Sequence, residues 1–434
     1  MAAEAMPVRM TSLSEIASCV SGYDPNALPV AQAREFIARL VPRVEAVECV
    51  PVRSALGRVL ARHIVSPIDV PAHDNSAMDG YALRSSDLLV DAPTALDVVG
   101  TGLAGDAVVG EVLAGQCLRI MTGAVMPAGL DTVVPQEFTQ ASNGKVTIPP
   151  GAVRAGDNRR LAGEDLAAGD TVLHAGRILR PADIGMLASL GQAEVPVLRR
   201  LRVAFFSTGD ELRSVGEPLD EGCVYDSNRY TLWAMLQRLG VDVIDMGVVR
   251  DDPQALEQAF SHAARNADAV ITSGGVSVGE ADHTKQVMAK LGDVLFWRIA
   301  MRPGRPMAIG RIDGGGHSAI LFGLPGNPVA VMVTFYAFVR DALLQMSGAS
   351  PQHLPMLRVA SMQAIRKKPG RTEYQRGIVT RADDGAWQVR ITGSQGSGIL
   401  RSMSEANGLV VLGHDQGDVA AGELVDVLPF DGLV

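Results

Sequence analysis

Residues 271–285 read ITSGGVSVGEADHTK. Gly274 and Gly279 have the spacing of the two glycines in a phosphate-binding GxxxxGK[ST] loop, yet Glu280 and Ala281 follow where that loop needs Lys and Ser or Thr. Asp282 comes next. A glycine loop that brings carboxylates instead of a lysine can still receive phosphate on backbone N–H groups, while its acids hold a cation. Two more acids follow apolar runs of strand character, Glu211 after RVAFFS and Asp251 after VDVIDMGVV. Three carboxylates brought close together repel one another unless a cation or a proton intervenes. Beside phosphate-receiving loops the simplest cation is Mg²⁺, which binds through a few carboxylates plus substrate oxygens. Glu211, Asp251 and Asp282 are therefore the candidate metal ligands and catalytic acids.

Positive charge gathers elsewhere. Arg298, Arg302 and Arg305 surround the Pro303–Gly304 turn of WRIAMRPGRP, and a guanidinium offers an oxyanion a planar fork of donors. Arg302 and Arg305, flanking the turn, are the stronger ligand candidates. Arg366-Lys367-Lys368 reads as a solvated charge run. His73 and His283 have no partner at metal-ligand spacing, and Cys19, Cys49, Cys117 and Cys223 stand far apart with no CxxC pair.

The elements that must position these groups are legible between residues 201 and 348. Short buried strands (RVAFFS, VDVIDMGVV, ADAVITS) alternate with helices (DSNRYTLWAMLQRLG, DPQALEQAFSHAARN, HTKQVMAKLG), a pattern of βαβ units around a mostly parallel sheet. GRPMAIGRI and HSAILFG form a strand pair joined by Asp313-Gly314-Gly315-Gly316, and Pro328 to Met346 closes the unit as a helix. In such a sheet, ligands bind beyond the carboxyl ends of the strands. Five loops converge there: Thr208–Glu211, Tyr225–Asn228, Arg250–Asp252, the opening glycine loop, and Gly323–Pro328. Asp226, Ser227 or Asn228 can cap the helix that follows, and Asn327 before Pro328 is good helix-start chemistry.

Outside this region, VAQAREFIARLV puts Val30, Ala33, Phe36, Ile37 and Leu40 on one helical face. From about Val65 to Gly176, frequent Gly and Pro with short apolar runs mark a β-rich insertion with long loops. It contains two polar, turn-rich stretches, HDNSAMDGYA and RIMTGA. Beyond Pro351 the runs alternate at period two, as in a small β-barrel or sandwich.

A chain of 434 residues implies two to four domains. Its net charge of −9 with no basic stripe argues against nucleic acid or anionic lipid as a partner, so local arginines must overcome a repulsive field if the ligand is an anion. The longest apolar run, Val329 to Val339, is short of the about 20 residues that span a bilayer. The N-terminal twenty residues scatter acids where a signal peptide has an apolar core. A cytoplasmic protein with reduced thiols is expected.

These stretches together resemble the MoeA family of molybdenum cofactor biosynthesis, which includes the gephyrin E domain. The resemblance is carried by DNSAMDGYAL, RIMTGAVMPAGLDTVVPQE, NRRLAGEDL, STGDEL, VYDSNRYTL, TSGGVSVGEADHTK, FWRIAMRPGRPMAIG, GLPGNPVAVMVTF, and YQRGIV with GSQGSGIL, and it spans nearly the whole chain. It implies an α/β multidomain fold. An elongated mixed N-terminal domain (1–65 and 160–200) carries a β-rich inserted domain (66–159), followed by a doubly wound, mostly parallel molybdopterin-binding domain (201–349) and a C-terminal β-barrel (350–434). It implies a homodimer whose cleft combines the third domain with the second domain of the partner, and an adenylyltransferase as a possible further partner. The implied activity is insertion of molybdate into adenylylated molybdopterin, with Mg²⁺ and release of AMP. By motif, Asp79 and Thr122 are the second-domain contributions, and Asp165 is a structural or interface position. Asp226, Ser227, Ser273, Gly274, Gly275, Pro325, Asn327 and Pro328 line the pterin and phosphate site. Ser277, Arg298, Arg302, Arg305, Arg376 and Ser397 form the oxyanion pocket. The family usually has Lys-Pro-Gly-Lys-Pro where Arg302–Pro306 stands, so molybdate against tungstate stays open. Two other readings also stay open, an adenylyltransferase and a non-catalytic pterin-binding scaffold.

Overall fold

In the computed structural model, residues 12–106, 110–276, 283–351 and 354–430 are described. They fall into two compact units: Met1–Glu48 with Gly57–Val59 and Val197–Val434, and Cys49–Leu56 with Leu60–Pro196.

The first unit is built on a six-stranded sheet of β1 (Arg202–Thr208), β2 (Asp242–Val249), β3 (Ala269–Ser273), β4 (Gly292–Arg298), β5 (Pro306–Asp313) and β6 (Ser318–Leu324), in the order β2-β1-β3-β6-β5-β4. β2, β1, β3 and β6 are parallel, and β5 runs antiparallel to both β6 and β4. Helices α1 (Ser227–Arg238), α2 (Pro253–Asn266) and α3 (His283–Leu291) connect the first four strands. Covering both faces of a parallel sheet requires apolar residues on both, and β1 meets this by alternation. Val203 and Phe205 join one core cluster, and Ala204 and Phe206 the other. Phe206 meets Phe260 of α2 edge-on, with ring centroids 5.0 Å apart. Burying each such ring stabilises the unit by about 1.5–3 kcal/mol.

After β6, Pro328–Met346 (α4) runs as one helix with a π-helical turn at Phe335–Val339. Among the described residues this is the one helix long and apolar enough to cross a membrane, and 78% of that stretch is buried within the protein. Helix Val30–Leu40 lays its expected face, Val30, Ala33, Phe36, Ile37 and Leu40, into the same core. There Phe36 meets Trp297 edge-on at 5.1 Å, and the indole N–H of Trp297 donates to the Tyr23 hydroxyl at 2.9 Å.

Strands β7 (Leu357–Ser361), β8 (Thr372–Arg381), β9 (Trp387–Ile391), β10 (Gly408–Leu412) and β11 (Leu424–Pro429) close into a barrel through the β8–β10 pairing. Closure removes the free sheet edges. The two-residue strand Met301–Arg302 pairs alongside β8, Arg302 opposite Glu373, and so ties the arginine turn to the barrel. One expectation needs correcting here: Lys367 is not part of a solvated run. It is buried, and its ammonium donates to the carbonyls of Gln416 at 2.6 Å and His414 at 3.1 Å, which the 413–417 turn presents to it, and to that of its neighbour Lys368 at 3.3 Å.

The second unit has the β-rich texture expected from its Gly and Pro content. The six strands of its largest sheet lie in the order Thr132–Pro135, Gly80–Leu83, Gln116–Ile120, Thr94–Gly102, Lys145–Ile148 and Gln140–Ser142. All pairings are antiparallel except that of Thr94–Gly102 with Gln116–Ile120.

Candidate functional site

Loops at the carboxyl ends of β1, β2, β3 and β6 open into one cleft of about 1380 Å³, whose wall is completed by the Arg302–Pro306 turn and by Gln395–Gly398 of the barrel. All five loops anticipated at this edge contribute to it.

The glycine loop leaves β3 at Ser273. Gly274 has φ +96° and Gly275 φ +67°. A Cβ on Gly274 would stand 2.6 Å from the Thr208 carbonyl oxygen of β1, and one on Gly275 would meet the Thr284 side chain at 2.5 Å. Only glycine satisfies both the backbone conformation and the close approach. The loop is held by Asn228, whose buried amide donates to the Ser273 hydroxyl at 2.8 Å and to the Gly326 carbonyl at 2.7 Å. Asp226 is the cap of α1, its Oδ1 accepting the Arg229 N–H at 3.1 Å. The sequence reading treated Asn228 as an alternative cap. With Asp226 in that role, Asn228 is free to lock two ligand loops together.

Buried polar atoms in proteins almost always have a hydrogen-bond partner. Three on residues lining this cleft have none among the described residues: Asp226 Oδ2, Asn228 Oδ1 and Thr208 Oγ1. Asp226 is 2% exposed, so its second oxygen is a buried acceptor awaiting a donor. A polar ligand is the simplest account of all three.

Glu211 and Asp251 line the same cleft. The Asp251 N–H donates to Asp210 at 3.3 Å, and the Thr284 hydroxyl reaches Asp251 Oδ1 at 3.5 Å. Ser277 and Asp282 lie outside the described residues. Among the described residues no three His, Cys, Asp or Glu side chains gather closely enough to hold a metal, and Glu211 and Asp251 share the cleft lining. Both are oxygen donors, the set a hard divalent ion takes.

The basic side differs from expectation at two positions. Arg302 and Arg305 line the cleft across a turn whose Gly304 has φ +95°. Arg298 does not. It ends β4 one residue beyond buried Trp297, so strand alternation turns it outward, and it is exposed. Arg376 stands behind the wall rather than in it. It is 1% exposed, and its guanidinium donates to the Ser402 hydroxyl at 3.0 Å and to the carbonyls of Gly396 at 3.0 Å and Ser394 at 3.4 Å. Burial, and after it the charge of Arg302, brings its pKa down to about 10. Arg376 thus shapes the loop that carries Ser397 into the cleft.

Ser397 is fastened from the other side. Its carbonyl accepts the Val329 N–H at the start of α4, at 3.0 Å. Asn327 occupies the cap position of α4 but makes no side-chain capping bond, and it lines the cleft with Pro325, Pro328, Ser227 and Asp226. Gln395, inside the GSQGSGIL stretch but given no role there, also lines it, as does Arg371, which no sequence motif had marked. Arg371 follows a Pro-Gly pair, the turn signal already read at Arg302.

In the second unit, Asp79 accepts the backbone N–H and the hydroxyl of Thr122, both at 2.7 Å. The register Gly80 opposite Ile120 creates the pair, since each residue lies just beyond its strand. The Thr122 N–H, then its hydroxyl, hold the exposed Asp79 carboxyl below its ordinary value.

Family comparisons cover the chain in three consecutive parts. Residues 28–191 match the MoeA N-terminal region (domain I and II), 204–345 a probable molybdopterin binding domain, and 358–430 the MoeA C-terminal region (domain IV). The chain is similar to a molybdopterin molybdenumtransferase of Haemophilus influenzae, 42% identical over 94% of this chain and 100% of that one. It is also similar to one of Nostoc sp., 38% identical over 92% and 93%. Among solved structures it resembles the molybdopterin biosynthesis moeA protein of Pyrococcus horikoshii OT3, with a TM-score of 0.81, 29% identity, and coverage of 93% of this chain and 100% of that one.

Proposed function

The chain belongs to the MoeA family, and from that premise we propose that it is a molybdopterin molybdenumtransferase, inserting molybdenum from molybdate into adenylylated molybdopterin with release of AMP. The observation that carries the reading is the composition of the cleft at the carboxyl edge of the sheet. Glycine backbone, buried unpartnered acceptors, two carboxylates and arginines all line one volume. A ligand with a phosphate tail, a polar ring system and an associated oxyanion uses each of these. A small neutral substrate uses few.

Gly274, Gly275 and the start of α4 receive phosphate oxygens on backbone donors and on the positive end of the helix. Asp226 Oδ2 accepts from ring or exocyclic N–H groups of the pterin. Glu211 and Asp251, with Asp282 as the third in the sequence reading, hold Mg²⁺, which when bound offsets the phosphate charge that grows on the departing AMP. Arg302, Arg305 and Ser397 hold molybdate near the dithiolene sulfurs, so catalysis consists largely of orientation. Asp79 and Thr122 are proposed to act from a second copy in a homodimer. The support is that the pair stands exposed in its own unit, already joined by two hydrogen bonds.

The test is incubation of the purified protein with adenylylated molybdopterin, Mg²⁺ and molybdate, with AMP as the readout. AMP release that needs molybdate and Mg²⁺, and that is lost in Asp282→Asn, supports the reading. Release at the wild-type rate in Asp282→Asn removes that residue from the mechanism, and no release in wild type removes the activity.

A further inference from the structure

His63 and His174 meet in the second unit, and neither lines the cleft. His63 comes just before the strand Ile64–Val65, and His174 just after its antiparallel partner Thr171–Leu173, whose Leu173 is the register partner of Ile64. Strand pairing therefore joins two side chains 111 residues apart in sequence. Their Nδ1 atoms are 3.3 Å apart, the rings stand at 87° to each other, and the ring centroids are 5.2 Å apart. Both residues are exposed.

Two accounts of such a pair differ in geometry. A head-on hydrogen bond between the two nitrogens at this separation sets the ring centres about 5.6 Å apart. Lone pairs that converge on one tetrahedral ion, at a Zn–N distance of about 2.0–2.1 Å, hold the nitrogens about 3.3 Å and the ring centres about 5.2 Å apart. Both observed distances match the convergent arrangement. A square-planar ion, the habit of Cu²⁺, would draw the nitrogens in to about 2.9 Å. The tautomer agrees as well. The Ala175 N–H donates to His63 Nδ1 at 3.3 Å, so that nitrogen presents a lone pair and its ring proton sits on Nε2. The contact is long, and a bound ion displaces it.

We infer that His63 and His174 are two ligands of a surface Zn²⁺ site. Water completes its coordination, since no third His, Cys, Asp or Glu gathers there among the described residues. The site lies in a stem of antiparallel contacts. The Leu60 N–H donates to the Arg177 carbonyl at 2.9 Å, Val70 faces Leu166, and Asn75 and Ser76 pair with Arg160 and Arg159. The stem leads directly to Asp79 and the strand Gly80–Leu83. An ion held by both histidines ties its two chains together, and closing so long a loop stabilises the folded unit by restricting the unfolded chain.

The test is equilibrium binding of Zn²⁺ to metal-free, tag-free full-length protein, in competition with a coloured chelator and with excess Mg²⁺ to occupy carboxylate sites. Cys19 and Cys49 are exposed thiols, so every form carries Cys19→Ser and Cys49→Ser. The parent should bind one Zn²⁺, and His63→Gln and His174→Gln should each weaken that binding about tenfold or more. Zn²⁺ should also raise the thermal unfolding midpoint of the parent and leave both histidine variants unmoved. Equal affinity in all three forms, or no binding in the parent, overturns the site. Weakening in only one variant overturns the shared ion, and binding without a thermal shift overturns the stem tie. If a variant fails to fold, Co²⁺ added to the parent decides: intense visible bands mark a tetrahedral ion, and the faint colour of a six-coordinate ion counts against the site.

Discussion

Replacing Gly274 by alanine tests whether the glycine loop is a rigid cradle. Two costs add. The residue has φ +96°, where a side chain costs about 1–2 kcal/mol. Its Cβ would lie 2.6 Å from the Thr208 carbonyl oxygen, and overpacking of that kind costs about 1–3 kcal/mol. Against this, alanine restricts the unfolded chain and returns about 0.4–1 kcal/mol. The net expectation is a loss of about 2–4 kcal/mol. Two other glycines of the same unit separate the contributions. Gly422 has φ +85° with nothing within 4 Å, so alanine there pays only for the backbone, about 1 kcal/mol. Gly393 has neither the left-handed φ nor a neighbour within 4 Å, so alanine is neutral or stabilising by about 0.4–1 kcal/mol. Denaturant unfolding followed by tryptophan fluorescence reads this unit alone, because Trp233, Trp297 and Trp387 all belong to it. The expected order of midpoints is Gly393→Ala highest, then Gly422→Ala, then Gly274→Ala. If Gly274→Ala and Gly422→Ala unfold together, the loop simply moves away from β1, and the claim of a preformed phosphate cradle is refuted.

Asn228→Leu should lower the same fluorescence midpoint, since it leaves the buried Ser273 hydroxyl without its donor, at about 1–3 kcal/mol, and releases the exposed Gly326 carbonyl to solvent. An unchanged midpoint would mean that the two loops hold their spacing without it. Asp268 offers a pH prediction. Burial alone would raise its pKa, but the Arg199 guanidinium, at 2.7 and 2.8 Å, and the Arg202 N–H together lower it. A depressed folded-state value means stability fully present above the unfolded carboxylate value of about 3.9 and lost as pH falls through the folded value. Asp268→Asn should therefore unfold more easily at neutral pH and lose less on acidification below about pH 4 than wild type, as read by thermal unfolding against pH. Parallel wild-type and variant curves would exclude the linkage.

Local chemistry was the legible part of this site, and side-chain direction was the illegible part. Strands β1 to β3 announced themselves as short apolar runs, and the rule that ligands gather beyond their carboxyl ends placed Glu211 and Asp251 at the edge where the cleft lies. The face of helix Val30–Leu40 was readable because 3.6-residue spacing is decided within the helix itself. Arg298 was misassigned because its charge and its nearness to Arg302 say nothing about which way a strand end turns. Arg376 and Lys367 were misplaced for a different reason. Each is a buried cation whose N–H groups donate to backbone carbonyls of turns far along the chain, 394–396 for one and 414–416 for the other. Local composition holds no trace of such distant acceptors. Arg371 reached the cleft unannounced because its partner Glu373, two residues away along a strand, reads as an ordinary exposed neighbour until the barrel closes over it.

The chain carries a net charge of −9 yet is proposed to take a substrate that is itself strongly anionic. The cleft reconciles these by separating its charges by element. Acids arrive on the sheet loops as Glu211, Asp226 and Asp251, and guanidinium groups arrive on the Arg302–Arg305 turn and the barrel as Arg302, Arg305 and Arg371. A simple anion would gain at the basic elements and lose at the acidic ones, and the overall field would add to the loss. A ligand that carries a divalent cation on its phosphates gains at both. The proposed reading therefore predicts that adenylylated molybdopterin binds more weakly once EDTA has removed Mg²⁺, as equilibrium binding would show, because Glu211 and Asp251 would then repel the phosphates proposed for the glycine loop; unchanged affinity would refute it.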